Sequence, residues 1–496
     1  MKKNKVMLIA EGTFPFNGGG VSTWCQTLCN EIKNVDFYLY SVNAVFESKP
    51  KYELSPNIKD IIQVPLWTPD EPYDYISYGD EYYKTVGRKE WTSDKVVTER
   101  FIPYFEALLE VIYSEEQDML LLDNLFYELW LYFEDYDFKK TMQSKPTWDT
   151  YVKILSEAIV EERNSNATLF DLSIGLRWIY RFLIPLAIVD VPKVDICHLT
   201  ISGFAIIPAL IAHYKHGSKI MVTEHGVFIR ERLLAINQSG YPYFLKNLLI
   251  KFSETIARLA YHKSEVIASV NKFNQKWEKL YGADENKLKV IYNAVDKDVF
   301  KPIDFPEKKN QPPTVVALAR VFDLKDIHTM IRSCAVVVKE IPKVQFLVYG
   351  DDKAVPEYTS SCKSLIKDLD LENNFKFMGP KSNPHLIFPE GDISILTSIS
   401  EGFPYTVIES MSCGIPVVAT DVGGVSEALN EETGIICKPK NYQQIGEAVI
   451  MLLKDENLRA SMGLKCRERV LEHFTLENLI DEYELIYDQL GSRERI

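Results

Sequence analysis

At 496 residues and 46% apolar, the chain is too long for one ordinary core but apolar enough to build two, with room for an insertion. A net charge of −14 and a pI near 5.3 exclude nucleic acid or an anionic membrane surface as the main partner. Eight scattered cysteines with no Cys-x-x-Cys, and no histidine cluster at zinc spacing, point to reduced structural thiols in a cytoplasm, with no metal and no cofactor.

The chain opens on Met1-Lys2-Lys3-Asn4-Lys5, but Val6 to Ala10 is too short for a signal-peptide core and Glu11 closes it, so the run reads as a first β-strand. Gly18-Gly19-Gly20 follows, ahead of a helix beginning near Val21. Backbone there can approach a phosphate closely and the helix start supplies N–H groups, although a tight turn with no ligand explains the triplet equally well. Strand-like runs continue at Phe37 to Ser41 and Ile61 to Leu66. Between Asp70 and Phe138 stand 18 acidic residues against 5 basic ones, interleaved with Tyr73, Tyr75, Tyr78, Trp91, Phe105, Trp130 and Phe133. That stretch is too aromatic for a disordered acidic tail and reads as a mostly helical insertion, spanning 70–180, docked on the first domain. Within it, Asp135-Tyr136-Asp137 imitates an Asp-x-Asp metal motif but reads as a solvated face.

Strand runs resume at Asp195 to Ile201, Lys219 to Thr223 and Val266 to Val270. His198 and His225 both lie at or just past the end of such a run; each reads either as a histidine bonded to backbone or, for His225, as a ring near a sugar hydroxyl. Lys301 to Pro313, rich in Pro and Lys, reads as an interdomain linker. Beyond it, Thr314 to Ala319, Val344 to Tyr349, Phe375 to Met378, Ile393 to Thr397 and Pro416 to Thr420 alternate with helical segments. This predicts an α/β protein with doubly wound parallel sheets. Arg320 and Lys325 follow the strand Thr314 to Ala319 at the edge where open α/β sheets bind ligands, and two cations there suit a leaving diphosphate. Gly350-Asp351-Asp352 ends the next strand as wall of the site. Glu401 then sits on a strand-to-helix loop and Glu409 inside the following helix, which ends at Gly414-Ile415-Pro416. Helix-start N–H groups lie between these two carboxylates, so one site can grip a nucleotide sugar at both ends.

Taken in order, Ala319-Arg320 with Lys325, Gly350-Asp351, Phe377-Met378-Gly379, Glu401-Gly402-Phe403-Pro404 through Glu409, Gly414 to Thr420, and Gly423-Gly424 before Glu427 resemble glycosyltransferase family 4, the retaining GT-B enzymes. In the first domain, Glu11 to Phe16 with Gly18 to Trp24, and Thr223-Glu224-His225-Gly226 flanked by Arg230-Glu231-Arg232, resemble its PelF branch, whose members act in Pel-type exopolysaccharide synthesis. The resemblance implies a GT-B fold of two Rossmann-like domains facing a cleft. Residues 1–300 would form the acceptor-side domain, 301–475 the nucleotide-sugar domain, and 476–496 a last helix packing back toward the first.

It also implies roles by position. Arg320 and Lys325 hold the diphosphate, with Gly18, Gly19 and Gly20 closing over it. Glu401 contacts donor-sugar hydroxyls and Glu409 the ribose. Gly379 and Pro380 lie near the base, Gly350, Asp351, Gly402, Phe403, Pro404, Tyr405 and Thr406 line the donor, and His225 sits beside its sugar. The catalytic set is then His225, Glu401, Arg320 and Lys325. Where family members often carry glycines around the Arg–Lys loop, Ala319 and Asp326 stand here, leaving the loop's conformation open. The implied activity is metal-independent transfer of a hexosyl unit, with retention, from UDP-glucose to a growing exopolysaccharide, alongside a membrane-embedded synthase complex. UDP-N-acetylglucosamine as donor and a non-catalytic UDP-sugar-binding subunit remain the alternatives. The missing Gly-x-Gly-x-x-Gly fingerprint argues against an NAD-using oxidoreductase or epimerase.

Overall fold

Alternation of buried β-branched runs with amphipathic helices produces two parallel sheets. The computed structural model describes residues 3–67, 82–161, 167–188, 191–303 and 311–491. The chain divides into two compact units: Met1–Ser269, Gln275–Lys289 and Glu484–Ile496 form the first, and Val270–Asn274 with Val290–Tyr483 the second.

The first unit holds β1 (Asn4–Glu11), β2 (Val35–Asn43), β3 (Ile58–Pro65), β4 (Ile196–Leu199), β5 (Lys219–Glu224), β6 (Val266–Ser269) and β7 (Leu288–Val290), ordered β3-β2-β1-β4-β5-β6-β7. β1 pairs in parallel with β2 on one side and with β4 on the other. Successive strands wind outward from that junction in both directions, which makes it a topological switch point. Val6 to Ala10 are all buried, as a strand covered on both faces requires.

The insertion between β3 and β4 is helical over its described part, with Tyr82–Trp91, Ile102–Tyr113, Met119–Asp135, Lys145–Glu161 and Leu169–Leu183 as its main helices. Phe101, Phe105, Phe126 and Phe133 join Met7, Ile9 and Tyr40 of the sheet in one continuous core. Polar ties fix the docking: Lys263 pairs with Asp123 at 2.8 Å, and Gln117 donates to Thr255 Oγ1 at 2.8 Å. Asp135 is exposed, as a solvated face requires, whereas Asp137 is a buried helix cap, accepting from the Lys140 N–H at 2.7 Å. Tyr73, Tyr75 and Tyr78, and most of the linker, lie outside the described residues.

The second unit holds β8 (Thr314–Leu318), β9 (Gln345–Tyr349), β10 (Phe375–Gly379), β11 (Ile393–Leu396), β12 (Val417–Thr420) and β13 (Gly434–Cys437), ordered β10-β9-β8-β11-β12-β13. Its side chains divide by strand alternation: Val315, Ala317 and Val418 enter the core on one face, Val417 and Ala419 that on the other. Both units are therefore Rossmann-like α/β domains. Two strands escape the sequence reading, β7 and β13. Each is three or four residues long at the outer end of its sheet, and β13 begins with Gly434 because a Cβ there would meet the Val417 carbonyl oxygen at 2.3 Å. All eight cysteines are buried free thiols. Among the described residues no helix is long and apolar enough to cross a membrane.

Candidate active site

In the second unit the switch point lies between β8 and β11. Three of the residues singled out from the sequence, Arg320, Lys325 and Glu401, lie there on two loops. The loop after β8 carries Arg320 and Lys325. It closes on the loop after β11, where the Ile399 N–H donates to Leu324 O at 2.9 Å and Thr397 Oγ1 donates to Lys325 O at 2.9 Å. Lys325 Nζ then reaches Glu401 Oε1 at 2.5 Å, and Ser398 Oγ donates to the same oxygen at 2.5 Å. Seventy-six residues of separation collapse into one charge pair. Arg320 stays exposed, its guanidinium over the Phe322 ring at 5.1 Å. One cation is thus tethered beside a carboxylate and a second stands open at the same sheet edge, a pairing suited to a diphosphate joined to a sugar.

The loop conformation left open by Ala319 and Asp326 is resolved. Asp326 adopts the left-handed backbone (φ 44°) that a glycine takes without strain. Its carboxylate compensates by capping the next helix, accepting from the Thr329 N–H at 3.2 Å and from Thr329 Oγ1 at 2.7 Å. The neighbouring glycines are required by close approach. Gly350 (φ 137°) would place a Cβ 2.1 Å from Ala319 O, and Gly423 (φ 56°) would place one 1.9 Å from Glu401 O. The Gly424 N–H donates to Gly402 O at 2.7 Å, so the Gly423-Gly424 pair is the floor on which Glu401 rests.

Glu409 lies on the helix Tyr405–Ser412, which has no side-chain N-cap, and burial pushes its carboxyl up to about 7. Tyr405 and Thr406 are half-exposed at that helix start. Phe403 differs from the expectation for a donor-lining side chain: its ring is buried among Tyr292 and Phe474, so what it offers the site is backbone. Gly379 (φ 74°) ends β10 and accepts from the Gly350 N–H at 3.0 Å, with Pro380 next in the chain. Asp351 accepts from the Val321 N–H through its backbone at 2.9 Å, bracing the arginine loop. Glu427, which ends the Gly423-Gly424 motif, is taken up by structural hydrogen bonds. Its carboxylate accepts from the Lys272 N–H at 2.8 Å and from the Tyr292 hydroxyl at 3.1 Å.

The first unit's switch point, between β1 and β4, is built differently. A cavity of about 410 Å3 opens there, lined by Glu11 and Gly12 from β1 and the turn after it, Asn43 from β2, Trp67 beyond β3, Phe204 beyond β4, and Phe228 and Arg232 beyond β5. The insertion contributes Phe182, whose ring stacks on Phe204 at 4.0 Å between centroids. Glu11 accepts from the Ala205 N–H at 2.6 Å and is held above the usual carboxylate range by burial. The sequence pointed to none of this lining as a pocket, because it comes from separate segments, each of which reads locally as core.

His225 follows β5. Trp24 packs edge-on against it at 4.5 Å, its Nε2 is buried without a hydrogen-bond partner, and burial lowers its pKa to about 3, so it is neutral near pH 7. Glu224 is its neighbour in sequence. The carboxylate accepts from the Ser202 N–H at 3.0 Å and the Phe228 N–H at 3.1 Å, tying together the loops after β4 and β5, and burial raises it to about 7. His198 is a satisfied core histidine, within 2.7 Å of both Tyr487 Oη and Thr223 Oγ1. Gly18, Gly19 and Gly20 form an exposed turn leading into the helix Gly20–Glu31. Lys51, which no sequence pattern singles out, lies beside the first of them: a Cβ on Gly18 would meet its ammonium at 2.8 Å.

The model described as "Domain of unknown function (DUF3492)" matches residues 4–286, and that described as "Glycosyl transferases group 1" matches residues 300–469. N-acetyl-alpha-D-glucosaminyl L-malate synthase of Bacillus anthracis is 27% identical over 306 residues, covering 60% of this chain and 74% of that protein. Among solved structures, a glycosyltransferase from Rickettsia africae superposes with a TM-score of 0.61 at 18% identity, covering all of both chains. Anabaena Alr3699/HepE, solved in complex with UDP, gives a TM-score of 0.60 at 13% identity over 98% of this chain and 100% of that one. These likenesses establish the GT-B type of fold. The chain belongs to the DUF3492 family and carries a group 1 glycosyl transferase domain, which makes it a glycosyltransferase.

Proposed function

We propose that the protein is a retaining, metal-independent hexosyltransferase that takes its sugar from a UDP-sugar, UDP-glucose first, and adds it to a growing exopolysaccharide. The observation that carries this reading is the cluster of Lys325, Glu401 and exposed Arg320 at the switch point of the group 1 domain. Arg320 and Lys325 neutralise the diphosphate as the bond from the anomeric carbon to the β-phosphate oxygen breaks. Glu401 accepts from donor-sugar hydroxyls, and Glu409 from the ribose. The acceptor hydroxyl attacks the same face and passes its proton to the departing phosphate oxygen. In the first unit, the cavity around Trp67 and Phe204 suits a saccharide acceptor, with aromatic walls for ring faces and Glu11, Asn43 and Arg232 for hydroxyls. His225, neutral near pH 7, would serve as a hydrogen-bonding group beside the sugar rather than as a charge.

UDP as the carrier is supported by HepE, whose structure was solved with that nucleotide. The motifs around Gly18 to Trp24 and Thr223 to Gly226 favour the PelF-like branch, a cytoplasmic setting and a membrane-embedded synthase as partner. A panel of nucleotide sugars, scored for released nucleoside diphosphate with and without a polysaccharide acceptor, tests the reading. Turnover of UDP-glucose above all others is the expected result. Turnover of UDP-N-acetylglucosamine instead would reassign the donor, and release from none would leave a nucleotide-sugar-binding subunit.

A further inference from the structure

The helical insertion contains a second cavity, of about 600 Å3, which shares no lining residue with the one at the first sheet's switch point. One wall is a stripe of the helix Leu169–Leu183, where Ser173, Arg177 and Arg181 recur every four residues and so share a face. Met142, Gln143 and Ser144, just before the helix Lys145–Glu161, and Trp148 within it line the cavity too, together with Leu176 and Tyr180.

Arg181 sets the chemistry. It is only 8% exposed, its Nε and Nη1 are buried with no hydrogen-bond partner, and no carboxylate pairs with it among the described residues. A guanidinium cannot shed its charge, and burying one unpaired is costly. Its place in the last turn of its helix gains from the helix dipole, but that leaves the N–H donors unmet. The Tyr180 ring beside it, at 5.6 Å, holds the planar group without satisfying those donors. What satisfies such a group is an oxyanion that accepts from the guanidinium. Exposed Arg177 adds a second positive charge on the same stripe. Half-buried Trp148 offers an aromatic face to a sugar ring, and the two serines offer hydroxyls.

We propose that this cavity binds an oxyanion-bearing saccharide, a uronate or a sugar phosphate, with the anion on Arg181 and the ring against Trp148. It is a site of the insertion alone and draws no residue from the group 1 domain.

The test titrates the full chain with glucuronate, glucose 1-phosphate and neutral glucose, in the parent and in Lys325→Ala, Arg181→Gln, Arg177→Gln and Trp148→Ala. The expected result is that at least one anionic sugar binds the parent and glucose does not; the preferred anion distinguishes carboxylate from phosphate as the source. Arg181→Gln weakens that binding by at least about tenfold, as loss of a hydrogen-bonded charge should, and Lys325→Ala leaves it unchanged. If Arg181→Gln fails to fold, Arg177→Gln and Trp148→Ala carry the test, each weakening binding severalfold. Binding abolished by Lys325→Ala would place the ligand in the donor site and overturn the proposal. Equal binding of glucose, no binding of either anionic sugar, or parental affinity in both Arg177→Gln and Trp148→Ala would overturn it as well.

Discussion

The two sheets share one order over six strands, to which the first adds β7, and put their switch points at equivalent places, yet those places are furnished in opposite ways. Between β8 and β11 the loops are short, charged and bonded to one another, and Lys325 pairs with Glu401. Between β1 and β4 the walls are aromatic, one is lent by the insertion, and the carboxylate there is buried against backbone. Topology thus provides the location of a site, while loop chemistry decides what can occupy it. A charged switch point suits a diphosphate, and an aromatic one suits the face of a sugar.

The strongest way to break this contrast is to remove the charge. Lys325→Ala and Arg320→Ala should each lower kcat/KM for the nucleotide sugar by about 100-fold or more, the scale seen when one stabiliser of transition-state charge is deleted. Thermal melts should stay close to those of the parent, since Arg320 is exposed and the Lys325–Glu401 pair is not what closes the core. Next in size is the floor beneath Glu401. Gly423→Ala forces a Cβ onto the Glu401 carbonyl at a left-handed backbone position, and should cost about 1–3 kcal/mol of stability by chemical denaturation together with activity. The same substitution at solvent-open Gly240 should cost little.

Much of the layout at the second unit's switch point was legible in the sequence. The spacing from Glu401 to Glu409, the Gly-then-Pro helix exit and the cations after a strand are local patterns, and local patterns survive folding. Asp326 in a glycine's conformation was not legible, because its capping bond to Thr329 exists only once the loop is bent. Nor was the pairing of Lys325 with Glu401, which depends on β8 and β11 lying side by side. In the first unit less could be read. Glu11, Trp67, Phe182 and Phe204 come from four distant segments, and each looks like ordinary core or surface until the sheet gathers them. Arg181 gave no sign at all, since a lone arginine in an amphipathic helix reads as a solvated face.

A smaller effect sharpens the aromatic half of the comparison. Trp67 is 43% exposed with its ring edge-on to Phe182 at 6.1 Å, so Trp67→Ala should leave the fold intact. It should raise the acceptor KM by about tenfold, the usual cost of losing an aromatic anchor, with donor KM unmoved. An equal rise in both constants would break the division of labour between the units. The smallest effect is in pH. Glu409 has its carboxyl raised to about 7 by burial, and ribose hydroxyls would favour the ionised form. Nucleotide affinity should therefore hold above pH 7 and fall severalfold as pH drops through about 7 toward 6, while Glu409→Gln should bind more weakly and lose that dependence.

The claim that the charged switch point of the group 1 domain is a nucleotide-diphosphate site is tested most directly by calorimetric titration of UDP, and of NAD as comparison, into the parent and Lys325→Ala chains. The account predicts that UDP binds the parent, that Lys325→Ala weakens it by at least about tenfold, and that NAD binds neither. Equal UDP affinity in the two chains, or a preference for NAD, would contradict it.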